Sequence, residues 1–396
     1  LPVGGLQFHS ENIITPLITS PNNKLLRALT DLEPKEKWLV RPKKHKLKDL
    51  WGPGVKWDVQ PGSFTHLNEF FGPVLGVMKA NDLKHACRLI NQTEYGLTAG
   101  LHSLDEEEIN YFTETVKVGN LYVNNKTTGA IVCRQPFGGI KNSRRGIGGK
   151  AGGVNYILQF MKIEDKEVPV PINEESSLPS LPIGSLIKLW KKNDWAKESL
   201  FPDFSGEIQR ILRGVHSCYY QNINYFSKEQ SLSKLQQVIG QKNIFRYGKV
   251  GKYTIRVCPE DLVSDIILRL IAGLIAGNKV SISIPLQMRA DKITRFLRSH
   301  FLKPVKNKFS IEFENDEQLC TKIMGNQICR LAYTYPQQVS NNIYRAANKV
   351  NIPIIRHKPL LEGRFLMLEQ FDEQSITYTY HRYGNLGLNQ IETQIH

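Results

Sequence analysis

The sequence lacks any apolar run long enough to cross a membrane. Its most apolar stretch, residues 266–275, contains Arg269 and Gly273 and falls short of the roughly 18 to 20 residues that a membrane-spanning helix needs. A basic segment followed by an apolar one is also absent from its start, so no signal peptide is predicted. These absences argue against a protein built on membrane spans and predict a cytoplasmic location.

Cysteine is scarce as well. The 396 residues include six cysteines, with no Cys-x-x-Cys pair and no histidine cluster at the spacing of metal ligands. Such a pattern is typical of reduced thiols in a cytosolic protein, and it does not predict a metal site.

Acidic residues are outnumbered, which gives a formal net charge of +15. The densest basic run, residues 41–48, precedes Trp51, but no helix-turn-helix signature, paired cysteines or RNA-binding aromatic motif accompanies it. A charge run of this kind is usually a solvated loop, so nucleic acid is not an expected partner. A basic nucleic-acid binder is the weakest alternative, and a steep salt dependence of duplex binding would support it.

Alternating strand and helix patterns fill residues 1–165. The predicted strands are residues 74–78, 97–101 and 121–123. Asn81 or Asp82 is expected to cap the helix after the first strand, and Asp105, with three glutamates behind it, caps another helix. Residues 166–200 mix proline, serine and acids without an apolar period and predict a linker.

The alternation resumes in residues 201–396. An apolar stripe at residues 263–274 predicts a helix that Gly277 and Asn278 stop, and residues 288–301 predict another. Further strands are predicted at residues 280–284, 309–313, 331–335 and 353–355. Strand-helix-strand alternation with crossovers of this length indicates an α/β fold with a parallel, doubly wound sheet.

Two stretches carry most of the functional information: NEFFGPVLGV at residues 68–77 and NLYVNNKTTGAIVCRQPFGG at residues 120–139. Their order and approximate spacing resemble the C-terminal part of an NAD-dependent aldehyde dehydrogenase. GPGVKWDVQPGSFTH (52–66), YGLTAGLHS (95–103) and KAGGVNY (150–156) are similar to the dehydrogenase half of the bifunctional proline-utilisation enzymes, the PutA family. The resemblance therefore implies that residues 1–165 are the C-terminal part of an aldehyde dehydrogenase catalytic domain.

The resemblance implies a cofactor role for Glu69 and Phe71. In this family the glutamate of Glu-x-Phe-Gly-Pro holds the ribose hydroxyls of NAD, and the phenylalanine lies behind the nicotinamide ring. A carboxylate suits this task because its two oxygens accept both hydrogen bonds of a cis-diol. From the residues alone, an exposed acid beside a strand is the alternative.

The resemblance also implies a substrate site. Asn124 and Phe137 would wall the aldehyde tunnel, and Thr128, Gly129 and Ala130 match the substrate anchor loop of L-glutamate γ-semialdehyde (1-pyrroline-5-carboxylate) dehydrogenases. Small residues suit this loop because its backbone N–H groups must approach the substrate's α-carboxylate closely. A surface loop of hairpin type is the alternative.

The implied activity is the NAD-dependent oxidation of L-glutamate γ-semialdehyde to glutamate in proline catabolism. We expect the chain to be a fragment, with no catalytic residue of its own, because the family's nucleophilic cysteine, general base and first cofactor domain would lie upstream. The implied partners are the small-molecule substrate and that upstream half, in a homo-oligomeric parent, with FAD only in an upstream proline dehydrogenase domain. An inactive remnant or a non-catalytic interaction module is the alternative, and the chain alone is expected to be inactive.

Two cysteines lie close to these motifs in sequence. Cys133 lacks the family's Gly-Gln-x-Cys context and is predicted to be a small core residue. Cys87 is placed on the apolar face of a helix and is predicted to be inert.

One departure from the family follows the Pro-Phe-Gly-Gly turn. Where the family has Ser-Gly or Ser-Ala, this chain has Ser143 followed by Arg144 and Arg145. The two cations are expected either to alter packing near an oligomer interface or to reflect relaxed selection.

Residues 201–396 resemble the extra C-terminal domain of long PutA enzymes, a Rossmann-like fold. The matching stretches are FRYGKVGKYTIRV (245–257), LIAGLIAGNKVSISIP (270–285) and YHRYGNLG (380–387). This domain is not expected to be a working cofactor site, since Ser283-Ile284-Pro285 lacks the family's ribose-binding lysine. The resemblance assigns packing or sealing roles to His381, Arg382 and Tyr383.

Overall fold

The computed structural model describes residues 3, 13–47, 49–165, 183–192, 205–228, 230–231 and 240–380. The chain divides into two compact units. One comprises Leu1–Gly96 and Ser103–Lys117, and the other comprises Leu97–His102 and Val118–His396. Within the described residues no helix is both long and apolar enough to span a membrane. The terminal motif from His381 onward lies outside the described residues.

The first unit combines short helices with a small sheet. Its helices are α1 (Asn23–Thr30), α2 (Phe64–Leu67), α3 (Leu83–Gln92) and α4 (Glu106–Thr115). Its strands are β1 (Lys37–Val40), β2 (Gly54–Trp57), β3 (Val74–Gly76) and β4 (Tyr95–Gly96). β2 lies between β1, to which it is antiparallel, and β3, to which it is parallel.

Side-chain caps fix where the helices of this unit begin. The Asp82 carboxylate accepts the backbone N–H of His85 at 2.6 Å and begins α3. Asp105 accepts the N–H groups of Glu107 and Glu108, so α4 begins where the sequence predicts. The strand predicted at residues 74–78 is confirmed in its first part.

The second unit contains two larger sheets. Its helices are α5 (Ile183–Lys192), α6 (Ser205–Gln221), α7 (Val263–Ile275), α8 (Lys292–Arg298), α9 (Asp316–Met324), α10 (Asn341–Lys349) and α11 (Gly363–Leu368). Its strands are β5 (Thr98–Leu101), β6 (Asn120–Val123), β7 (Ile140–Lys141), β8 (Gln230–Ser231), β9 (Gln241–Lys249), β10 (Lys252–Arg256), β11 (Lys279–Ile284), β12 (Phe309–Phe313), β13 (Arg330–Tyr333), β14 (Ile354–Arg356) and β15 (Phe371–Thr379).

One sheet has the strand order β12-β11-β10-β13-β14, and every neighbouring pair is parallel. This order reverses at β10, as in a doubly wound Rossmann-like fold, and confirms the predicted α/β class. α7 is buried along almost its whole length and ends before Gly277, whose φ of 75° only glycine adopts readily. The core between this sheet and its helices includes Ile267, Ile282 and Phe296.

The other sheet has the order β5-β6-β15-β9-β8. β6 pairs in parallel with β15, with Asn120 opposite Ser375 and Val123 opposite Tyr378. β15 pairs antiparallel with all of β9. A strand near the described C-terminus therefore supports the strand that leads into the second sequence motif.

The helix predicted at residues 288–301 is only partly correct. α8 covers its middle, and 3₁₀ turns occupy Leu286–Met288 and His300–Lys308. The reason is a pair of local caps: the Asp291 carboxylate accepts the N–H of Ile293, and the Ser299 hydroxyl accepts that of Phe301.

The segment predicted as a linker contains a described helix. α5 buries Leu186, Ile187 and Trp190, and the Trp190 indole N–H donates to the carbonyl of Phe301 at 2.9 Å. The apolar face of this helix thus packs into the core beside the Rossmann-like sheet. The domain boundaries at residues 165 and 201 stay a prediction.

Candidate functional site

The segment that carries Glu69 and Phe71 connects α2 to β3 in the first unit. Phe70, between them, packs against a small core formed by Leu25, Leu29 and Trp51. An added Cβ at Gly72 would lie 2.4 Å from a Leu25 methyl, so only glycine fits there without displacing Leu25. This small core therefore holds in place the backbone that carries Glu69 and Phe71.

Glu69 and Phe71 line the same depression, of about 440 Å³. The other lining residues are Val59, Thr65, His66, Asn68, Phe70, Gly72, Val74, Gly76 and Met78. Among the described residues, the Glu69 carboxylate has no hydrogen-bond or ion-pair partner. Phe71 adopts a φ of 54°, which is uncommon for a non-glycine residue, and its side chain is 83% exposed. The two acceptor oxygens of Glu69 and the exposed ring of Phe71 thus line one depression.

His66 also lines this depression, and it was not selected from the sequence as a site residue. The backbone N–H of Gly62 donates to its Nδ1 at 3.0 Å, and its Nε2 lies 3.0 Å from the carbonyl oxygen of Leu89. Because Nδ1 accepts, Nε2 is the nitrogen that donates to the Leu89 carbonyl. His66 therefore fixes α2 against α3 and has no ring nitrogen left for a ligand.

The predicted substrate residues lie in the second unit, after β6. Asn124 ends that strand with a φ of 55°, and its N–H donates to the Leu101 carbonyl at 2.8 Å. Gly129 has a φ of 78°, and the N–H groups of Thr128, Gly129 and Ala130 have no acceptor among the described residues. Their exposed loop can present three backbone donors to an anion.

Phe137 is held by a two-way backbone contact. Its N–H and carbonyl each bond Ala151 at 3.0 Å, and its side chain is 37% exposed. The buried Asn120 amide spans the turn around it, donating to the Pro136 carbonyl and accepting the Gly138 N–H. Asn124 and the anchor loop therefore follow the end of β6. The turn that carries Phe137 is held by Asn120, at the start of the same strand.

Lys150 completes this turn and was not selected from the sequence as a site residue. Its Nζ donates to the Asn120 side-chain oxygen at 2.9 Å and to the Gly138 carbonyl at 2.5 Å. Its backbone N–H donates to Glu373 of β15 at 2.8 Å. Through Lys150, the Phe137 turn is thus linked to β15, which lies more than two hundred residues further along the chain.

Burial shifts the pKa of both charged groups in this contact. Burial lowers the pKa of the Lys150 ammonium from 10.5 to about 7, with Glu373 opposing the shift and Arg144 adding to it. Burial raises the pKa of Glu373 above its ordinary value, although Asn155 and Lys150 act in the other direction. The site therefore contains a lysine whose charge changes near neutral pH.

We expect the stability of the chain to rise with pH above 7 through Lys150. The Lys150 ammonium releases its proton near pH 7 in the folded chain but only near pH 10 in the unfolded chain. Between these two pH values the free energy of unfolding therefore rises with pH, by up to about 1.4 kcal/mol per pH unit. Urea unfolding from pH 7 to 8.5 checks this. The rise should be smaller in Lys150→Met, and it should be unchanged in Lys117→Met, which removes an exposed lysine. Parallel profiles for all three proteins would contradict the assignment.

Arg144, the departure from the family pattern, is an internal residue here. Its guanidinium bonds the Asp372 carboxylate at 2.6 Å, and Arg330 bonds the same oxygen at 2.8 Å. Burial alone would raise the pKa of the Asp372 carboxyl. The two arginines outweigh this effect and lower that pKa below its ordinary value. Arg144 therefore acts as a packing residue within this unit, whereas Arg145 is exposed.

The prediction that Cys133 is a core residue is wrong. It is exposed and has a φ of 62°, because Arg134 and Gln135 both donate backbone N–H groups to Ile131 and close a tight turn that leaves Cys133 outside. Cys87 is buried as predicted, and burial raises the pKa of its thiol.

The carboxyl end of the Rossmann-like sheet is occupied by its own side chains. Arg256, at the end of β10, donates to the Ser283 hydroxyl, the Glu314 carbonyl and the Asp316 carboxylate, each at 2.9 Å. At the start of α7, the Glu207 carboxylate accepts the Ser264 N–H at 2.8 Å. A dinucleotide phosphate would need such a helix start, so this geometry supports the expectation of a non-working cofactor fold. No group of metal-binding side chains occurs among the described residues.

Comparison with known proteins gives a family match to the first 165 residues and a structural match to 94% of the chain. Residues 1–165 match the model of the Aldehyde dehydrogenase family. The 1-pyrroline-5-carboxylate dehydrogenases of Geobacillus sp. (strain WCH70) and Bacillus subtilis (strain 168) are 44% and 42% identical over 110 residues, 28% of this chain and 21% of each relative. The structure of Proline Utilization A (PutA) from Corynebacterium freiburgense is 32% identical, with a TM-score of 0.70, over 94% of this chain and 32% of that one. The chain thus spans about a fifth of these curated relatives and a third of the PutA structure.

Proposed function

We propose that the chain, whose residues 1–165 match the Aldehyde dehydrogenase family, is the C-terminal part of an NAD-dependent L-glutamate γ-semialdehyde dehydrogenase. The observation that carries this proposal is the similarity of 94% of the chain to PutA from Corynebacterium freiburgense at a TM-score of 0.70. The similarity includes the Rossmann-like sheet, which the family match at residues 1–165 does not reach. It therefore favours a PutA-like parent.

Glu69 and Phe71 are the residues that would hold NAD. The unpartnered Glu69 carboxylate can accept hydrogen bonds from both hydroxyls of a ribose, and the exposed Phe71 ring offers an apolar face to a nicotinamide. When bound, NAD supplies the hydride acceptor of the oxidation. The role of the chain here is to orient the cofactor, through a backbone that Gly72 and the core around Leu25 keep in place.

The anchor loop would bind the substrate's α-carboxylate. The unpaired N–H groups of Thr128, Gly129 and Ala130 offer donors without a charged side chain, which suits a carboxylate that must be released again as product. Phe137 would contact the methylenes between the carboxylate and the aldehyde, and Asn124 would lie at the aldehyde end. Lys150 is a positioning residue in this scheme, since it holds the Phe137 turn through Asn120 and Gly138.

We further propose that the thiolate and the general base come from an upstream part of the parent. The reaction needs a cysteine thiolate that attacks the aldehyde and a carboxylate that activates water. Cys133 lies near the anchor loop in sequence, but it has no basic partner among the described residues that would activate it. The upstream half, an FAD-containing proline dehydrogenase domain, a homo-oligomeric assembly and a cytoplasmic location stay proposals about that parent.

A chimeric enzyme tests this function. We expect the purified chain alone to form no NADH from L-glutamate γ-semialdehyde. We expect turnover when the chain is joined to the part of the Geobacillus 1-pyrroline-5-carboxylate dehydrogenase that precedes the region equivalent to residues 1–165. In that chimera Glu69→Gln should raise the KM for NAD about tenfold or more, because hydrogen bonds to a charged group are lost. Glu106→Gln, at an exposed acid of α4 in the same unit, is the matched control and should leave the KM unchanged.

Two results would contradict the proposal. NADH formation by the chain alone would show that it has its own nucleophile. A folded chimera that binds neither NAD nor substrate would favour the alternative, an inactive remnant or an interaction module.

A further inference from the structure

A small cavity lies beside the glycine-rich tract of residues 138–150. Its volume is about 210 Å³, less than drug-sized ligands occupy. It is lined by Gly138, Gly139, Ser143, Arg144, Arg145, Gly148, Gly149, Lys150, Gln159 and Glu373. None of these side chains is aromatic or aliphatic, so the cavity suits a small ligand that is polar throughout.

The backbone of this tract alternates in the sign of φ. Gly146 and Gly148 have φ values of 65° and 54°, whereas Arg145, Ile147 and Gly149 are not in the positive region. Such alternation turns successive N–H groups toward one side of the chain and forms an anion-binding concavity, or nest. The N–H groups of residues 144–149 have no acceptor among the described residues. Four of these residues, at positions 144, 145, 148 and 149, also line the cavity.

The charges around the cavity favour an anion. Arg145 is exposed and has no partner among the described residues, and Lys150 is buried in the wall. The Arg144 charge is shared with Asp372, which Arg330 also contacts. The only carboxylate in the lining, Glu373, has both oxygens engaged, one by the Lys150 N–H and one by the Asn155 amide. The local balance is therefore positive.

We propose that this tract binds a small tetrahedral oxyanion, either inorganic phosphate or the phosphate group of a small ester. The N–H groups of the nest would bind its oxygens, and Arg145 would neutralise its charge from the open side. A nucleotide base would find no ring to stack on, because the lining has no aromatic side chain. This site is separate in sequence from the anchor loop, and it does not depend on the dehydrogenase proposal.

Titration of the chain labelled with ¹⁵N-glycine tests the site. Inorganic phosphate, added at constant ionic strength, should shift the amide signals of Gly148 and Gly149 in a saturable manner. Methyl phosphate is titrated in parallel to distinguish a phosphate ester from inorganic phosphate as the ligand. If methyl phosphate binds as tightly as inorganic phosphate, the ligand is an ester, and if it binds more weakly, the ligand is free phosphate. Arg145→Gln should weaken phosphate binding about tenfold, which is the loss of one charge-assisted hydrogen bond.

Gly148→Ala tests the backbone geometry without changing the charge. A Cβ there meets no atom closer than 3.6 Å, but alanine resists its positive φ, so we expect phosphate binding to weaken about tenfold or more. Gly62→Ala, at a glycine with a φ of 79° and open space around it in the other unit, is the matched control and should bind as the original chain does. The proposal is overturned if the glycine signals do not saturate, if chloride shifts them equally, or if neither Arg145→Gln nor Gly148→Ala weakens binding.

Discussion

Replacing Arg269 with methionine is expected to lower the free energy of unfolding by about 3 to 5 kcal/mol. Arg269 lies on α7 and is 1% exposed. Its guanidinium pairs with Glu369, contacts the His357 carbonyl and lies 3.3 Å from the Tyr253 hydroxyl. The methionine would fill similar volume but would remove the Arg269 charge from the buried Glu369 carboxylate, which would then have only the half-exposed His357 imidazole beside it at 3.4 Å. A buried charge that has lost its counter-ion costs more than the pair contributes.

Urea unfolding at pH 7 measures this loss. Lys79→Met is the control, since it removes a cation from a pair with Asp58 in which the lysine is 67% exposed, and less than about 1 kcal/mol should be lost. The double variant Arg269→Met with Glu369→Leu should recover most of the stability, because neither charge of this pair then stays buried. If the single and double variants are equally unstable, packing around Arg269 outweighs its charge and our explanation is wrong.

Gly119→Ala is expected to lower the free energy of unfolding by about 3 kcal/mol, at the upper end of what overpacking costs. An added Cβ at Gly119 would lie 1.9 Å from the carbonyl oxygen of Gly138, and that oxygen belongs to the backbone and cannot rotate away. The Phe137 turn must therefore move away from β6. In the chimeric dehydrogenase we expect turnover to fall about a hundredfold, because a displacement of about 1 Å at a substrate wall has effects of that size.

Gly206→Ala is the matched control for this change. Gly206 lies near the start of α6, and an added Cβ there meets no atom within 4 Å. Alanine favours a helix over glycine, so this variant should be at least as stable as the original chain and fully active in the chimera. Normal turnover by Gly119→Ala would mean that the turn does not shape the substrate site.

Local patterns in the sequence predicted much of this fold. Asp82 and Asp105 cap their helices by accepting backbone N–H groups three or fewer residues away. The apolar period that predicts α7 lies entirely within the thirteen residues of that helix. The helix at residues 288–301 failed for an equally local reason, since Asp291 and Ser299 break it at both ends. The parallel, doubly wound character of the Rossmann-like sheet followed from the general rule on crossovers, whereas its strand order was not predicted.

The candidate site was harder to predict, because its support comes from distant parts of the chain. Glu69 and Phe71 could be selected by their motif, but no pattern pairs Lys150 with Glu373 on β15. Cys133 was misjudged because composition favours burial of cysteine, whereas the turn closed by Ile131 decides its exposure. For Arg144 the sequence suggested altered packing near an oligomer interface or relaxed selection, and no local pattern pairs it with Asp372.

The pairing of β6 with β15 has a consequence for synthesis on the ribosome. The two strands are separated by roughly 250 residues, which take roughly 10 to 50 seconds to translate at about 5–20 residues per second. During that interval β6 has a neighbour only in β5, and its other edge presents unpaired N–H and carbonyl groups to any passing strand. The nascent chain is therefore most prone to aggregation in this interval, and faster translation of the codons for residues 124–370 should raise the soluble yield.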